Sequence, residues 1–351
     1  MSGSDEVRIL VVGDFMIQKP ASGSDIDSVR TLLTDADLRI GNMDTVLSLA
    51  GQSGEKFSSL RGFPESISEV KTMGFDVLTL ANNHAMDYGP DGLMDMIQGF
   101  TNVGMTPVGA GANLDSARRP FVFELRSKKF AVFSFACTLP PGSAARENSP
   151  GIAPIRVHQA MKVNTSLAAE QPGSSLGIET WVDEDDLAAT INAIEEFNHS
   201  VDHVIVVVHW GVPKLWRTPI DPQVQSYQYE LGHALVDAGA DVIIGNHPHE
   251  VHAVEYYKGV PIAFSLGNFW IDTIAERSWM ARESIGVRLS FDGDRLTCVE
   301  LLPLMLTEQG IPEYDPNFES LDILRIQNPA LAIAQPSVDG WYRVTQSSDG
   351  N

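Results

Sequence analysis

The sequence predicts a mixed α/β fold, in which helices cover either one mixed sheet or two sheets packed together. Two observations lead to this prediction. Short apolar runs alternate with segments whose apolar residues recur every three to four positions, which is typical of strand–helix–strand units. Other apolar runs are joined by short polar turns, which favours antiparallel hairpins.

Five of the predicted strands end in polar residues. These strands are residues 7–12, 38–40, 75–80, 204–208 and 241–244. The polar residues that follow them are, in the same order, Asp14, Asp44, Asn83 with His84, His209, and His247 with His249. Four of the nine histidines therefore lie at strand ends, and this recurrence predicts a common site.

The remaining elements complete the predicted architecture. Helical spacing of apolar residues predicts helices at residues 65–73, 92–103, 185–198 and 223–238. The hairpins pair residues 121–125 with 130–135 and residues 284–291 with 296–302. Residues 140–171 are rich in Pro, Gly, Ser and Ala, and this composition predicts a long loop that leaves the core of the fold. No internal repeat or clear linker is visible, so residues 1–351 are predicted to form a single domain, with residues 303–351 as a weakly patterned C-terminal extension.

The composition restricts the function. The chain has 351 residues, enough to bury a sizeable core, and 43% of them are hydrophobic. Its 24 basic and 46 acidic residues give a net charge of −22, which argues against binding to nucleic acid or to an anionic membrane surface. An anionic substrate, either a small molecule or a polymer, remains compatible if a metal supplies positive charge. We therefore expect an enzyme.

Sequence features also suggest a compartment. The two cysteines, Cys137 and Cys298, cannot form a disulfide framework and fit a reducing environment. Neither a signal peptide nor an apolar run long enough to span a membrane is visible. These features predict a cytoplasmic protein, and they leave its oligomeric state open.

The polar strand ends predict a metal site. In open α/β sheets, ligands bind beyond the carboxyl ends of the strands. Carboxylate, amide and imidazole groups suit divalent Mn, Fe, Co, Ni or Zn, and the lack of a thiolate disfavours a structural zinc site. The candidate ligands are Asp14, Asp44, Asn83, His209, His247 and His249, of which Asp44 could bridge two ions. Each of them alone has a structural alternative as a turn, helix-cap or core residue, so the prediction depends on the whole set.

Six motifs, in this order, resemble those of the bacterial poly-γ-glutamate capsule-synthesis protein family, often called the CapA family. They are Gly-Asp at 13–14, Asn-x-Asp at 42–44, Ala-Asn-Asn-His-x-x-Asp-Tyr-Gly at 81–89, His-Trp-Gly at 209–211, Gly-x-His-Pro-His at 245–249 and Ser-Leu-Gly-Asn-Phe at 265–269. The resemblance covers residues 7–302, and the family is in turn similar to the calcineurin-like metallophosphoesterases. It implies two central mixed β-sheets flanked by helices, a four-layer αββα sandwich with a binuclear metal site at the strand ends.

The resemblance also implies roles for individual residues. It places Asp14 and His249 on the first metal, His209 and His247 on the second, Asn83 as an amide ligand and Asp44 as the bridging carboxylate. Asp44 stands where the family usually has Glu. His84 corresponds to the general acid, and Asp87, three residues later, is placed to orient it. The implied cofactors are two divalent ions, Mn, Fe or Zn, that activate a bridging water.

A Gly/Ser-rich loop, residues 50–64, carries two further candidates. Lys56 and Arg61 could hold an anionic group of the substrate. The alternative is that both are solvated surface charges, which is the more common situation for lysine and arginine.

The leading functional hypothesis is a metal-dependent hydrolase that acts on a phosphoester. A second hypothesis places hydrolysis or transfer of an amide, such as a γ-glutamyl bond, in the same site. A third, of a different class, is a non-catalytic accessory protein for capsule polymer synthesis. The net charge opposes a nucleic-acid-binding function.

Overall fold

The computed structural model describes residues 6–173, 177–211, 224–317 and 319–346. The strands, in chain order, are β1 (Val7–Met16), β2 (Leu38–Met43), β3 (Val46–Leu47), β4 (Arg61–Gly62), β5 (Val77–Thr79), β6 (Thr106–Val108), β7 (Ala110–Gly111), β8 (Phe121–Leu125), β9 (Lys128–Ala136), β10 (Gly151–Ile152), β11 (Val157–Lys162), β12 (Gly177–Val182), β13 (His203–His209), β14 (Val242–Asn246), β15 (Val251–Tyr257), β16 (Val260–Leu266), β17 (Asn268–Ile271), β18 (Glu283–Asp292), β19 (Arg295–Leu306), β20 (Pro312–Tyr314), β21 (Leu331–Pro336) and β22 (Tyr342–Gln346). The helices are α1 (Gly23–Leu32), α2 (Glu65–Met73), α3 (Gly89–Asn102), α4 (Leu114–Arg118), α5 (Thr165–Glu170), α6 (Glu184–Asn198), α7 (Ser226–Asp237) and α8 (Glu319–Gln327), with a 3₁₀ turn at Ile274–Glu276.

Two large mixed sheets organise the fold. The first has ten strands in the order β21-β22-β19-β18-β1-β2-β5-β6, with β17 paired to β1 and β20 to β19. The second has six strands in the order β15-β16-β14-β13-β9-β8. Strands β1, β2, β5 and β6 run parallel, as do β9, β13, β14 and β16, whereas β18 and β15 pair antiparallel with their neighbours.

The alternation of side chains along β1 shows how the layers stack. Ile9 and Val11 point into a core between the two sheets, which they share with Val207 of β13. Leu10, between them in the chain, lies in a second core formed with helices α1, α2 and α3. A third core lies between the second sheet and helices α6 and α7. Because successive strand residues face opposite sides, one apolar run serves two cores, and the result is the predicted helix–sheet–sheet–helix sandwich.

The predicted elements agree with the structure in type and nearly in extent. Helix α2 has the predicted bounds, and the last residues of α3, α6 and α7 lie within one residue of those predicted. Helix α3 begins three residues before its predicted start and α7 three residues after, although residue 223 itself lies outside the described residues. Both predicted hairpins are present, as β8–β9 and β18–β19. The single-domain organisation stays a prediction.

Two regions contain more structure than their sequences predicted. Residues 140–171 include β10, β11 and α5, and β11 pairs with β12 in a separate two-stranded sheet. After residue 303, strands β20, β21 and β22 extend the first sheet, and α8 packs on β15. Among the described residues, the structure contains no helix with both the length and the apolar character needed to cross a bilayer.

Candidate metal centre

The carboxyl ends of the central strands in both sheets converge on one region. Asp14 lies within β1, and Asp44 follows the neighbouring parallel strand β2, where its amide donates to the carbonyl of Phe15 at 2.8 Å. His209 ends β13, and the parallel strand β14 leads into His247. Because the sheets are stacked, ligands from both of them meet at this edge, as ligand sites in α/β folds do.

One group of candidate ligands combines two carboxylates with an imidazole. Ligand atoms of Asp14, Asp44 and His249 lie within 4.8 Å of one another, and all three residues are buried. The His249 Nδ1 is 3.3 Å from the Asp14 carboxylate, and its Nε2 is 4.0 Å from Asp44 Oδ2. This buried cluster has the composition of a site for a divalent metal ion.

A second group of candidate ligands lies on the other side of Asp44. The His209 Nε2 is 2.8 Å from Asn83 Oδ1 and 3.9 Å from Asp44 Oδ1. The rings of His209 and His247 have centroids 4.8 Å apart. One oxygen of Asp44 therefore faces His209 while its other oxygen faces His249, which is the arrangement that a bridging carboxylate requires.

The His-Pro-His segment has an uncommon backbone conformation. His247 has φ = 97° and His249 has φ = 58°, values that residues other than glycine rarely adopt. The amide of His247 donates to the Asp14 carboxylate at 3.1 Å, so the segment is fixed to β1. Such strained conformations persist where the surrounding structure enforces them and are concentrated at functional sites.

Two asparagines orient the candidate ligands, and the sequence reasoning gave them no role. The Asn42 amide donates to Asp14 at 2.6 Å and to the His209 Nδ1 at 3.2 Å. Asn268 Oδ1 accepts from the His249 Nδ1 at 2.8 Å, and its amide group donates to the backbone carbonyl of His249 at 3.1 Å. Both residues lie in the quoted motifs, at 42–44 and 265–269, but their position there does not indicate which ligand each one contacts. Partners of this kind fix the rotation of ligand rings.

The electrostatics of the cluster favour a neutral imidazole at His209 and an ionised carboxylate at Asp14. Burial opposes ionisation of Asp14, but hydrogen bonding and charge from His249 outweigh it and hold the pKa of Asp14 below its usual value. Burial, reinforced by the charge of His247, lowers the pKa of His209 well below its usual value. Neutral imidazole and ionised carboxylate are the forms that bind metals.

The donor set fits a divalent transition metal. Two fully buried carboxylates need compensating positive charge, because an ionised group in an apolar interior is strongly disfavoured. The surrounding groups are imidazoles and an amide, with no thiolate among the candidate ligands, which suits Mn, Fe or Zn. The residues of this cluster could therefore hold a metal ion.

His84 belongs to a hydrogen-bonded chain beside the cluster. Its Nδ1 is 2.7 Å from Asp87 Oδ2. The Asp87 carboxylate is fully buried and also accepts from the Leu60 amide at 2.7 Å and from the Lys56 ammonium. Burial lowers the pKa of His84, while the hydrogen bond and charge of Asp87 oppose that shift. Burial prevails, so the pKa of His84 lies below its usual value, and Asp87 orients the imidazole and limits that shift.

The two predicted substrate-binding residues have internal partners. The Lys56 ammonium donates to the Asn83 carbonyl at 2.6 Å, in addition to Asp87. Arg61 donates to the carbonyl of Ala50 at 2.8 Å, and its guanidinium carbon lies 3.4 Å from the centroid of the Tyr88 ring. Neither is a freely solvated charge, and a substrate-binding role for them stays a prediction.

Fold and site together define an α/β protein with a candidate metal centre at the carboxyl ends of two stacked sheets. The model of the bacterial capsule synthesis protein family PGA_cap matches residues 8–273, so the chain belongs to that family.

Three curated relatives are similar to this chain. It is 30% identical to the PGA biosynthesis protein CapA of Bacillus subtilis, over 76% of this chain and 64% of that protein. It is 27% identical to the capsule biosynthesis protein CapA of Bacillus anthracis, over 92% and 72% of the two chains. It is 28% identical to a probable polyglutamine synthesis accessory protein of Mycobacterium tuberculosis, over 89% and 72%. The chain thus spans about two thirds of the length of these relatives.

Proposed function

We propose that this protein is a metal-dependent hydrolase with a binuclear site and that its substrate is a phosphoester. The observation that carries the proposal is the position of Asp44, whose two oxygens face His209 at 3.9 Å and His249 at 4.0 Å. Asp44 faces the Nε2 atom of each ring, whereas Asp14 faces the Nδ1 atoms, which Asn42 and Asn268 already engage. The Nε2 atoms are therefore the ones that remain for ions on either side of Asp44, which supports its role as a shared carboxylate.

Two groups of residues would hold the ions. Asp14, His249 and one oxygen of Asp44 form the first, and Asn83, His209 and His247, with the other oxygen of Asp44, form the second. Divalent ions bound there supply Lewis acidity, which makes water a better nucleophile near neutral pH and offsets charge that develops on a phosphoryl or acyl oxygen.

The chain itself supplies a means of proton transfer. Hydrogen bonding to Asp87 holds the Nδ1 side of the His84 ring, so the Nε2 side can carry a proton to a leaving group. Lys56 donates hydrogen bonds to both the Asp87 carboxylate and the backbone carbonyl of Asn83. It therefore links the residue that orients His84 to the backbone of a candidate metal ligand. A histidine oriented in this way beside a candidate metal centre supports proton transfer and therefore favours a catalytic role.

A second candidate function is a non-catalytic accessory role in the synthesis of a capsule polymer. The names of the relatives favour it, since they describe capsule, PGA and polyglutamine synthesis. Hydrolysis or transfer of a γ-glutamyl amide in the same site would combine that context with catalysis.

A substrate panel separates these possibilities. The protein, reconstituted with Mn²⁺, Fe²⁺ or Zn²⁺, is assayed with a phosphomonoester, a phosphodiester and a γ-glutamyl amide, with Asp44→Asn as the matched inactive variant. We expect metal-dependent turnover of a phosphoester that Asp44→Asn abolishes. Turnover of the amide alone would replace the phosphoester by a γ-glutamyl substrate, and no turnover by a metal-loaded protein would favour the accessory role.

A further inference from the structure

Two cavities lie side by side next to the candidate metal centre. The first, here called the inner cavity, has a volume of about 420 Å³ and is lined by Lys56, Asn83 and Arg146, among others. Asn83 is also a candidate metal ligand, so the inner cavity lies beside the centre. Lys56 is engaged by Asp87, and the exposed Glu55 also lines this cavity.

The second, here called the outer cavity, has a volume of about 410 Å³ and shares with the inner one the turn at residues 140–142 and Arg146. Cys137 lines the outer cavity, and its amide donates to the carbonyl of His209 at 2.8 Å. The two cavities therefore meet around one turn, within reach of the same edge of the second sheet. A substrate longer than a single phosphate ester could extend from one into the other.

The outer cavity is basic, although the chain has a net charge of −22. Its lining includes Arg146, Arg156 and His158, and none of the described residues that line it is acidic. Behind the lining, the Asp186 carboxylate is shared by Arg156 at 2.8 Å and Arg118 at 3.0 Å, so one carboxylate faces two guanidinium groups. The His158 Nε2 is likewise 2.9 Å from Asp183 Oδ2, so the excess of positive charge at this cavity comes from Arg146.

Arg146 is the cation available to a ligand. Its side chain forms no ion pair or hydrogen bond with any residue that the structure describes, and it is exposed. Its backbone, in contrast, is fixed, because its amide donates to Ser149 at 3.1 Å and its carbonyl accepts from Leu114 at 2.9 Å. The guanidinium is therefore presented to both cavities from a well-anchored turn, and it can bind a carboxylate or phosphate in a bidentate manner.

We propose that the outer cavity is an anion subsite, in which Arg146, supported by Arg156 and His158, binds a carboxylate or phosphate group that the substrate carries at a distance from the bond being cleaved. That the bound molecule is a substrate rests on the proposed function. That an anion binds in this cavity rests on the cavities and charges alone. The subsite makes Arg146 a specificity-determining residue that selects multiply charged substrates over singly charged ones.

Calorimetry tests the subsite without requiring turnover. Wild-type protein, Arg146→Gln and Arg295→Gln are titrated with triglutamate, glycerol 1,3-bisphosphate and inorganic phosphate. Arg295, on the β18–β19 hairpin with its side chain 84% exposed, is the control for an equal change in net charge. We expect Arg146→Gln to weaken binding of at least one multiply charged probe about tenfold, because a charge-assisted hydrogen bond is lost. Inorganic phosphate, which is too small to reach from one cavity into the other, is the reference and should lose less.

The pattern of losses identifies the source of the anion. A loss for triglutamate alone indicates a carboxylate, and a loss for the bisphosphate alone indicates a phosphate. Unchanged affinity for both multiply charged probes, or an equal loss in Arg295→Gln, would overturn the proposal.

A kinetic arm separates this proposal from the proposed function. With aryl phosphates that do or do not carry a distal carboxylate, Arg146→Gln should raise KM about tenfold for the carboxylate form only and leave kcat unchanged. If hydrolysis occurs but the variant does not distinguish these esters, the subsite is wrong and the function stands. If no ester is hydrolysed, the calorimetric result still decides the subsite.

Discussion

Asp44 occupies the position in the cluster on which the proposed binuclear site depends most. It is fully buried and lies between His209 and His249, whereas Asp87 is equally buried but bonds to His84, Lys56 and the backbone of Leu60. The two carboxylates therefore offer a matched comparison at constant burial and charge.

We predict that Asp44→Asn weakens metal binding more than Asp87→Asn does. Asp44 would contact the ions directly. Asp87 reaches the site only through His84 and Lys56, and loss of such a supporting contact typically costs about 10–100-fold. Competition with a chromogenic chelator measures the dissociation constant of each variant. Equal dissociation constants would mean that Asp44 is not a ligand.

We predict that His84→Asn keeps the metals and the fold but reduces turnover about 10²-fold or more for a substrate with a poor alkoxide or amine leaving group. The loss should shrink for an activated phenolate, which needs no proton to depart. Steady-state rates on both substrates are compared with metal content and circular dichroism of the same preparation. A folded, metal-loaded variant with wild-type turnover of the poor-leaving-group substrate would remove His84 from the mechanism.

For single residues, the sequence indicated which side chains are candidate metal ligands, but it did not indicate which residues form hydrogen bonds with them. Aspartate and histidine at strand ends could be read directly as candidate ligands. The roles of Asn42 and Asn268 depend on contacts with His209 and His249, which are distant in the chain or lie on other strands, so no local pattern predicted them.

At the scale of elements, the approach of β1 to the turn before β17 positions Asp14. The amide of Asp14 donates to the carbonyl of Gly267 at 3.1 Å. A Cβ atom at Gly13 would lie 2.0 Å from that same carbonyl oxygen, so only glycine fits. The register that places Asp14 opposite Asn42 therefore depends on glycine, which has no side chain, at position 13.

We predict that Gly13→Ala lowers the free energy of unfolding by about 1–3 kcal/mol, the usual cost of overpacking, and also weakens metal binding because Asp14 is displaced. Gly23→Ala is the control, since a Cβ there meets no atom within 4 Å and alanine favours the helix α1. Urea denaturation and chelator competition measure both effects. Similar behaviour of the two variants would contradict the close approach.

Strands that are buried could be predicted from the sequence, whereas exposed strands could not. Strands β1, β13 and β14 are buried along nearly their whole length and appear in the sequence as continuous apolar runs. Strand β11 is exposed at five of its six positions, so its sequence carries no apolar pattern that distinguishes it from a loop. The strands after residue 303 are short or partly exposed for the same reason.

At the scale of the whole molecule, the site exists because two sheets stack with their strand ends on one edge. Asp14 and Asp44 come from the first sheet, and His209 and His247 from the second. Local periodicity predicts the buried strands but not which sheet each of them joins, so residue patterns alone left one sheet or two as alternatives. The family resemblance implied two, and the structure confirms this.

We predict that a bound metal stabilises the whole fold, because its ligands come together only when both sheets are formed. Free ion at about 100 times its dissociation constant should add about 2.7 kcal/mol to the free energy of unfolding. Differential scanning calorimetry with and without chelator should show a lower Tm for the stripped protein and a much smaller difference for Asp44→Asn. An unchanged Tm on metal removal would argue against a site built across the sheets.

The central claim, that these strand ends form a metal centre, is tested most directly by elemental analysis of protein purified without chelators. Six candidate ligands, one of which is the shared carboxylate, predict about one to two Mn, Fe or Zn ions per chain. Protein that contains only traces of transition metal, and regains none on incubation with Mn²⁺, Fe²⁺ or Zn²⁺, would contradict the claim.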